Sequence, residues 1–409
     1  MSRPIFFAFL IVTLDAMGAG LIYPVLPELL SRIFEVDTDS SLVTVTGGVL
    51  FLVFALLMFF FGPILGSLSD RFGRQRVIFF SMAAMAVDYA LMALFPFFWV
   101  LLIGRIIVGI AGGSYATAFA IVGDVSTEEN RGQNFGIVSS GLGLGFILGP
   151  LIGGWVGSIN LVLPFWIAMG LTSLAVVLCL SLYRETLPPK ARRPFHLASA
   201  NAFSVFQRMR ANPAIAAFLL ALLIFSSGET IYETIWSYWG IQAFGWEIKD
   251  IRDTLVVFGI GMVVVQGGLS GPAISRFGAL RVALGAMALS CVGLVFVAFA
   301  HATWVIYALM PLMWITGLSM PALQTYLSER TDESHQGELQ GVLASMGSIA
   351  LIIAGAYGYC SLGAATLDGG PIFFPGAPFL IAFVICACAW VMLRRAAAQA
   401  PPVALQGRP

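Results

Sequence analysis

Charge is what this sequence lacks. Only 10% of its residues are Asp, Glu, Lys or Arg, against 59% hydrophobic, where a soluble domain carries about 25% charge. Too few charges remain to cover a water-facing surface, so a soluble globular protein is excluded. The formal net charge is zero, which removes the basic footprint that nucleic-acid binding requires. Histidine is scarce: His196, His301 and His335 fall in loops or at the ends of apolar runs, and none is placed for a proton relay. The five cysteines, Cys179, Cys291, Cys360, Cys386 and Cys388, all lie inside apolar runs. They read as small buried hydrophobes, neither disulfides nor metal ligands. No spacing gives a metal site, a catalytic triad or a phosphate loop, so neither an enzyme nor a cofactor is expected. A cleavable signal is missing as well, because the first apolar run continues through Pro24 and Pro27 with no small-residue cleavage site.

What the sequence does have is long apolar runs of about 20 residues, the length that crosses a bilayer core; barrel strands would alternate over ~10 residues. Twelve runs stand near 5–30, 44–66, 77–95, 98–122, 133–156, 162–183, 213–240, 252–270, 281–300, 303–327, 338–361 and 372–393. The expectation is an all-α membrane protein with twelve transmembrane helices. A polar stretch at 184–212, with six basic residues and Pro188, Pro189 and Pro194, separates six runs from six. The organisation follows: an N-terminal six-helix bundle over 1–183, a linker over 184–212, a C-terminal six-helix bundle over 213–395 and a tail over 396–409. Arg3, the 71–76 cluster, Arg131, the linker, Arg276, Arg281, Arg330, Arg394 and Arg395 fall on one side. By the positive-inside rule that side, with linker, tail and both termini, is cytoplasmic.

The halves are related. Gly66-Ser67-Leu68-Ser69-Asp70-Arg71-Phe72-Gly73-Arg74 returns in weakened form at Gly271-Pro272-Ala273-Ile274-Ser275-Arg276-Phe277-Gly278. The same offset carries Arg131-Gly132 and Gly136 onto Gln336-Gly337 and Gly341. Two similar bundles facing one another leave a cavity at their interface near the midplane, and rocking one against the other gives alternating access. A transporter needs this arrangement; a channel, receptor or anchored enzyme does not.

Charges inside the apolar runs need a reason, since each costs about 2.5–3.5 kcal/mol even on the insertion scale. Asp15 lies in the first run, Asp88 in the third, Arg105 in the fourth, and Glu229 and Glu233 one helical turn apart in the seventh. Asp15 and Asp88 read either as carboxylates bonded between packed helices or as cavity groups that take a proton or the cationic part of a substrate. Low dielectric disfavours a charged carboxyl, which suits a proton carrier. Arg105 is expected to pair with Asp15 or Asp88. Glu229 and Glu233 should share a face, one in the cavity and one towards the outer mouth beside Tyr232, Trp236, Tyr238 and Trp239, which read as an interfacial belt in preference to a substrate cage. The fifth run places Gly141, Gly145, Gly149 and Gly153 at four-residue spacing, with Gly154 and Pro150 among them. That makes a flat face for close packing, kinked at the proline.

At this point the chain resembles the major facilitator superfamily. Gly66, Asp70, Arg71, Gly73 and Arg74 match its loop signature between the second and third helices, with Gln75 where a second basic residue is usual. Arg105 and Gly109 match its fourth-helix signature, and Gly145, Gly149, Pro150, Gly153 and Gly154 the fifth-helix pattern of drug-exporting exchangers. Over almost the whole chain it is similar to the tetracycline/proton antiporters of Gram-negative bacteria. The similar stretches include Leu14–Gly18, Pro24–Pro27, Val87–Ala93, Met320–Gln324 and Gln336–Gly341. The resemblance implies a monomer in the bacterial inner membrane, aspartates at Asp15, Asp70 and Asp88 that support transport, and a substrate carrying a divalent cation out in exchange for a proton. The chain departs from the pattern where Leu289 and Met58 replace an acid of the ninth helix and a glutamine of the second, and where Glu229 and Glu233 add acids in the seventh.

The 66–76 loop, with Gly66, Asp70, Arg71, Gly73, Arg74 and the nearby Asp124 and Arg131, is expected to act as a conformational latch. Asp70 would face the positive end of the eleventh helix and Arg74 would reach Asp124, with the copy at 271–278 weaker. The function expected is proton-coupled export of an amphipathic small molecule. Proton-coupled uptake of a sugar or organic acid on the same frame is the alternative, and a transport-inactive receptor is a third.

Overall fold

The computed structural model describes residues 2–112, 114–127, 131–181, 183, 185–188, 190, 192, 213–328, 336–367 and 373–399, with backbone alone at 115, 116, 131–133, 213–215, 336–341 and 344. The linker and tail of the sequence reading lie largely outside these residues. Helix accounts for every regular element described. The first half runs α1 (Arg3–Ile22), α2 (Leu26–Phe34), α3 (Ser41–Phe72), α4 (Arg74–Leu94), α5 (Phe98–Ala111), α6 (Ser114–Val125), α7 (Arg131–Gly157) and α8 (Leu163–Ser181). The second runs α9 (Pro213–Glu229), α10 (Ile231–Phe244), α11 (Ile248–Val264), a π turn (Val265–Leu269), α12 (Ser270–Phe277), α13 (Ala279–Ala298), α14 (Thr303–Thr316), α15 (Ser319–Ser328), α16 (Gln336–Ala365) and α17 (Ala377–Gln399).

Eleven of the described helical stretches are long and apolar enough to span a bilayer. The shorter Phe98–Ala111 completes the twelfth together with α6. This is an all-α, multi-pass membrane protein. The spans are interrupted in a regular way: among the described residues the first, fourth, seventh and tenth each break, at Tyr23–Val25, after Ala111 at Gly112, at Thr230 and at Gly317–Leu318. Breaks three spans apart are what two triple-helix repeats within each half would produce, and broken helices are where transporters build midplane sites. In the first span Pro24 has no N–H to continue the ladder, and α2 restarts with Leu29 N–H donating to the Val25 carbonyl at 2.9 Å.

The flat glycine face of α7 lies on α1. A Cβ on Gly145 would stand 2.6 Å from the Thr13 carbonyl oxygen, on Gly149 2.7 Å from that of Met17, and on Gly153 2.3 Å from that of Leu21. Only glycine allows this approach of two backbones, and it contributes by dispersion where lipid removes any hydrophobic drive. Pro150 sits within the helix and packs on Gly20.

The two halves meet along two seams, α3 with α16 and α7 with α11. At the end far from the 66–76 loop the seams are shut. Tyr238 of the second half fills the space over Gly47, and the Tyr359 ring that over Gly48. The Ser237 hydroxyl donates to the Tyr23 carbonyl at 3.0 Å, and the Gln242 amide donates to the Asp39 carbonyl. Towards the loop end, Gly62, Gly66, Gly136, Gly267, Gly268 and Gly271 have no atom near where a Cβ would stand. Among the described residues the molecule is closed at its far end and open at its loop end.

The four aromatics of the seventh span do not form a belt. Trp236, Tyr238 and Trp239 are buried, and Trp239 packs edge-on against Phe379 of α17 at 4.8 Å between ring centroids. The indoles of Trp236 and Trp246 donate to the Thr254 hydroxyl (3.1 Å) and the Thr303 hydroxyl (2.9 Å). Trp236 and Trp239 are core packing that ties α10 to α11 and α17, Trp246 ties the turn after α10 to α14, and Tyr238 belongs to the seam over Gly47. Lipid-facing aromatics and buried ones have the same composition, and hydropathy alone does not separate them.

Candidate functional site

Four acids and one arginine lie within the spans, three of the acids at least partly buried and Glu233 exposed, and the structure sorts them by partner. Asp88 of α4 is completely buried, and Arg105 Nη2 donates to its Oδ2 at 2.8 Å. Gly104 makes the room, since a Cβ there would lie 1.8 Å from Asp88 Oδ1. Asp88 Oδ1 and Arg105 Nε have no further partner. Of the two pairings expected for Arg105, the one formed is with Asp88. Asp15 is held differently: just past the break of the fourth span, the buried Ser114 hydroxyl donates to its Oδ2 at 2.9 Å.

In the second half the break at Thr230 falls between Glu229 and Glu233. Glu229 ends α9 and accepts a hydrogen bond from the buried Ser290 hydroxyl of α13. Glu233 lies in the first turn of α10, where the helix dipole favours an acid, and its residue is exposed. It stands within electrostatic reach of the Tyr23 hydroxyl, as does Arg105. Two carboxyls, Asp15 and Glu229, one in each half, are therefore held by a neutral serine hydroxyl. Asp88 alone is held by a cation.

The 66–76 loop is built around Arg74, whose side chain is almost fully buried. Its Nε and Nη2 donate to the Asp124 carboxylate at 2.9 and 3.4 Å, while Nη1 donates to Asp70 Oδ1 and Ser69 Oγ, each at 2.6 Å. A bidentate guanidinium–carboxylate pair of this kind fixes geometry as well as charge. Glu185, just after α8, accepts from the backbone N–H of Arg74 (3.0 Å) and of Gln75 (3.2 Å), closing the N-terminus of α4. The Gln75 amide donates to the carbonyls of Cys179 (3.1 Å) and Tyr183 (3.0 Å) at the end of α8. Gly73 has φ +99°, and a Cβ there would lie 2.2 Å from Glu185 Oε2, so both backbone and space demand glycine. Arg71 is exposed and lies over the Phe72 ring. Gly66 stands in open space. The Arg131 side chain and the start of the eleventh span, the partner expected for Asp70, lie outside the described side chains. In the copy, Gly278 keeps its positive φ of +83° and Arg276 lies over Phe277, but Ala279 follows where the first half has Arg74. The second loop has the turn without the clamp.

The sequence pattern of the Major Facilitator Superfamily matches residues 8–355 and 269–408. The chain belongs to that superfamily. As a member it is a transporter, not an enzyme, that moves small-molecule substrates through the membrane it spans. It is 39% identical to the tetracycline resistance protein, class C, of Escherichia coli over 83% of this chain and 85% of that protein. It is 35% identical to the class G protein of Vibrio anguillarum over 93% of this chain and 95% of the other. Among solved structures, the human organic anion transporter MFSD10 (TETRAN) superposes with a TM-score of 0.72 at 21% identity, covering 96% of this chain and 99% of that one. At that identity the likeness establishes the fold alone.

For this superfamily member, sequence reasoning missed Ser114, Ser290, Gly104 and Glu185. The serines and the glycine carry no signal in an apolar run rich in small residues. Glu185 had one: it is the lone acid beside Arg184 in a stretch otherwise basic.

Proposed function

We propose that the chain is a proton-coupled antiporter of the bacterial inner membrane, working as a monomer, that exports a tetracycline-type drug by alternating access. The observation that carries this reading is the 39% identity to a tetracycline resistance protein over most of both chains. The interior chemistry agrees with it. Asp15 and Glu229, each against a serine hydroxyl, exchange the proton, and Asp88 with Arg105 is a fixed neutral pair that shapes the cavity. The substrate leaves as a complex with a divalent cation that it brings itself. Both termini and the 66–76 loop face the cytoplasm by the positive-inside rule, so the form open at the loop end is the one that loads substrate from the cell. Opening the far end exposes the carboxyls to the outside, where proton uptake accompanies drug release and drives the return. The test is a drug panel in an efflux-deficient bacterial host. Expression should raise the inhibitory concentration of tetracyclines several-fold, and unchanged tetracycline sensitivity with resistance to another class would overturn the substrate.

A further inference from the structure

The seam between α7 and α11 has a constant register until it reaches the π turn. Gly154 meets Arg252, Ile147 meets Gly259, and Gly143 meets Val263. These contacts step seven residues and then four along both helices, in opposite directions, as two antiparallel helices with one continuous contact line must. Carried on past the one extra residue of the π turn, the line would set Ser140, Ser139 and Gly136 of α7 against Gly267, Gly268 and Gly271 in turn. Instead the line stops. All six residues are exposed, and no atom lies near a Cβ built on any of the four glycines.

The stop coincides with a change in helix type. Val265–Leu269 is a π turn, an insertion that is rare and that gathers at functional positions. Beyond it, α12 contains no buried residue. The π turn itself is anchored: Val265 is buried with Ala286 and Leu318, and the Gln266 amide donates to the Gly317 carbonyl, at the break of the tenth span, at 3.3 Å. A fixed pivot is followed by two adjacent glycines and by α12, whose packing within its own half runs through the partly buried Ala273 and Ile274. The repeat-related span in the first half has no such device, since α3 runs unbroken from Ser41 to Phe72 through Gly62 and Pro63.

We propose that the π turn at 265–269 is the hinge of the loop-end gate. As the far end opens, α12 swings about Val265 and extends the α7–α11 seam, seating Gly267, Gly268 and Gly271 on Ser140, Ser139 and Gly136. Small residues on both strips allow the backbones to close. Closure at this seam is thus a bend within the eighth span added to the rocking of the halves, and it rests on the alternating-access reading above.

Cysteine cross-linking of the full chain, with its native cysteines replaced, tests this without measuring transport. The pairs are Ser140→Cys with Gly267→Cys, and Gly136→Cys with Gly271→Cys, joined by a short bismaleimide. Gly47→Leu or Gly48→Leu props the far end open, because a Cβ at these positions already meets Tyr238 and Tyr359 at 2.1 and 2.7 Å. The cross-link should be a minor product in the parent and the major one in the propped form. Deleting Gly268, which turns the π turn into α-helix, or the milder Gly268→Ala, should abolish it while the protein stays inserted and monodisperse. A cross-link that forms and ignores both changes would overturn the hinge and leave rigid rocking intact. No cross-link in any propped, well-folded form would overturn the hinge and alternating access together.

Discussion

At the scale of single residues, the interior charges divide into one pair and two lone acids, and the division predicts different phenotypes. Asp88 and Arg105 hold each other in a dry site, so neutralising one strands the other. Leaving one buried charge uncompensated costs about 3–5 kcal/mol. Asp88→Asn should lower the thermal midpoint of the detergent-solubilised protein, and Asp88→Asn with Arg105→Gln should recover much of the loss. A double variant no more stable than the single would show that the pair is not the unit. Asp15→Asn and Glu229→Gln create no stranded charge, because a serine hydroxyl can donate to an amide oxygen as well as to a carboxylate. Both variants should insert and melt like the parent, yet lose proton-driven efflux in inverted vesicles by at least about tenfold. Unimpaired efflux would remove that residue from the proton path.

At the scale of elements, the loop clamp depends on the start of α4 being tied to the end of α8 by Glu185. Replacing a side chain that caps a helix N-terminus typically costs about 1 kcal/mol. Glu185→Ala should therefore speed hydrogen exchange at the Arg74 and Gln75 amides by about fivefold and leave the middle of α4 untouched. Unchanged exchange at those amides would mean that water replaces the carboxylate at no cost. The clamp shows what a sequence does and does not display. Arg74 and Asp124 are charged residues at the ends of apolar runs, so proximity and opposite sign brought them together beforehand. Glu185 was hidden because a run of basic residues around it read as a topological flank. Glu229 and Glu233 were expected one turn apart on a single helix; the one-residue turn at Thr230 between α9 and α10 has no proline to announce it. Trp236, Tyr238 and Trp239 read as a belt, because the choice between lipid and core is made by neighbours such as Phe379 that lie far off in the chain.

For the whole molecule, the twelve spans and the internal repeat were legible because bilayer thickness and duplicated motifs write themselves along the chain. Of the breaks in the first, fourth, seventh and tenth spans only the first is announced by a proline within it, Pro24, and the shut far end was not legible, since it arises from contacts between halves. Those contacts give the account its direction. The far end is sealed by tyrosines over Gly47 and Gly48, the loop end is open, and a carboxyl waits against a serine in each half. The central claim is that a proton entering from outside is exchanged for drug leaving the cell. Purified protein in proteoliposomes, given a tetracycline–Mg²⁺ substrate and an imposed pH gradient, tests it directly. Accumulation should occur when the vesicle interior is acidic and collapse when the gradient is dissipated; accumulation only with an acidic exterior would contradict exchange and establish symport.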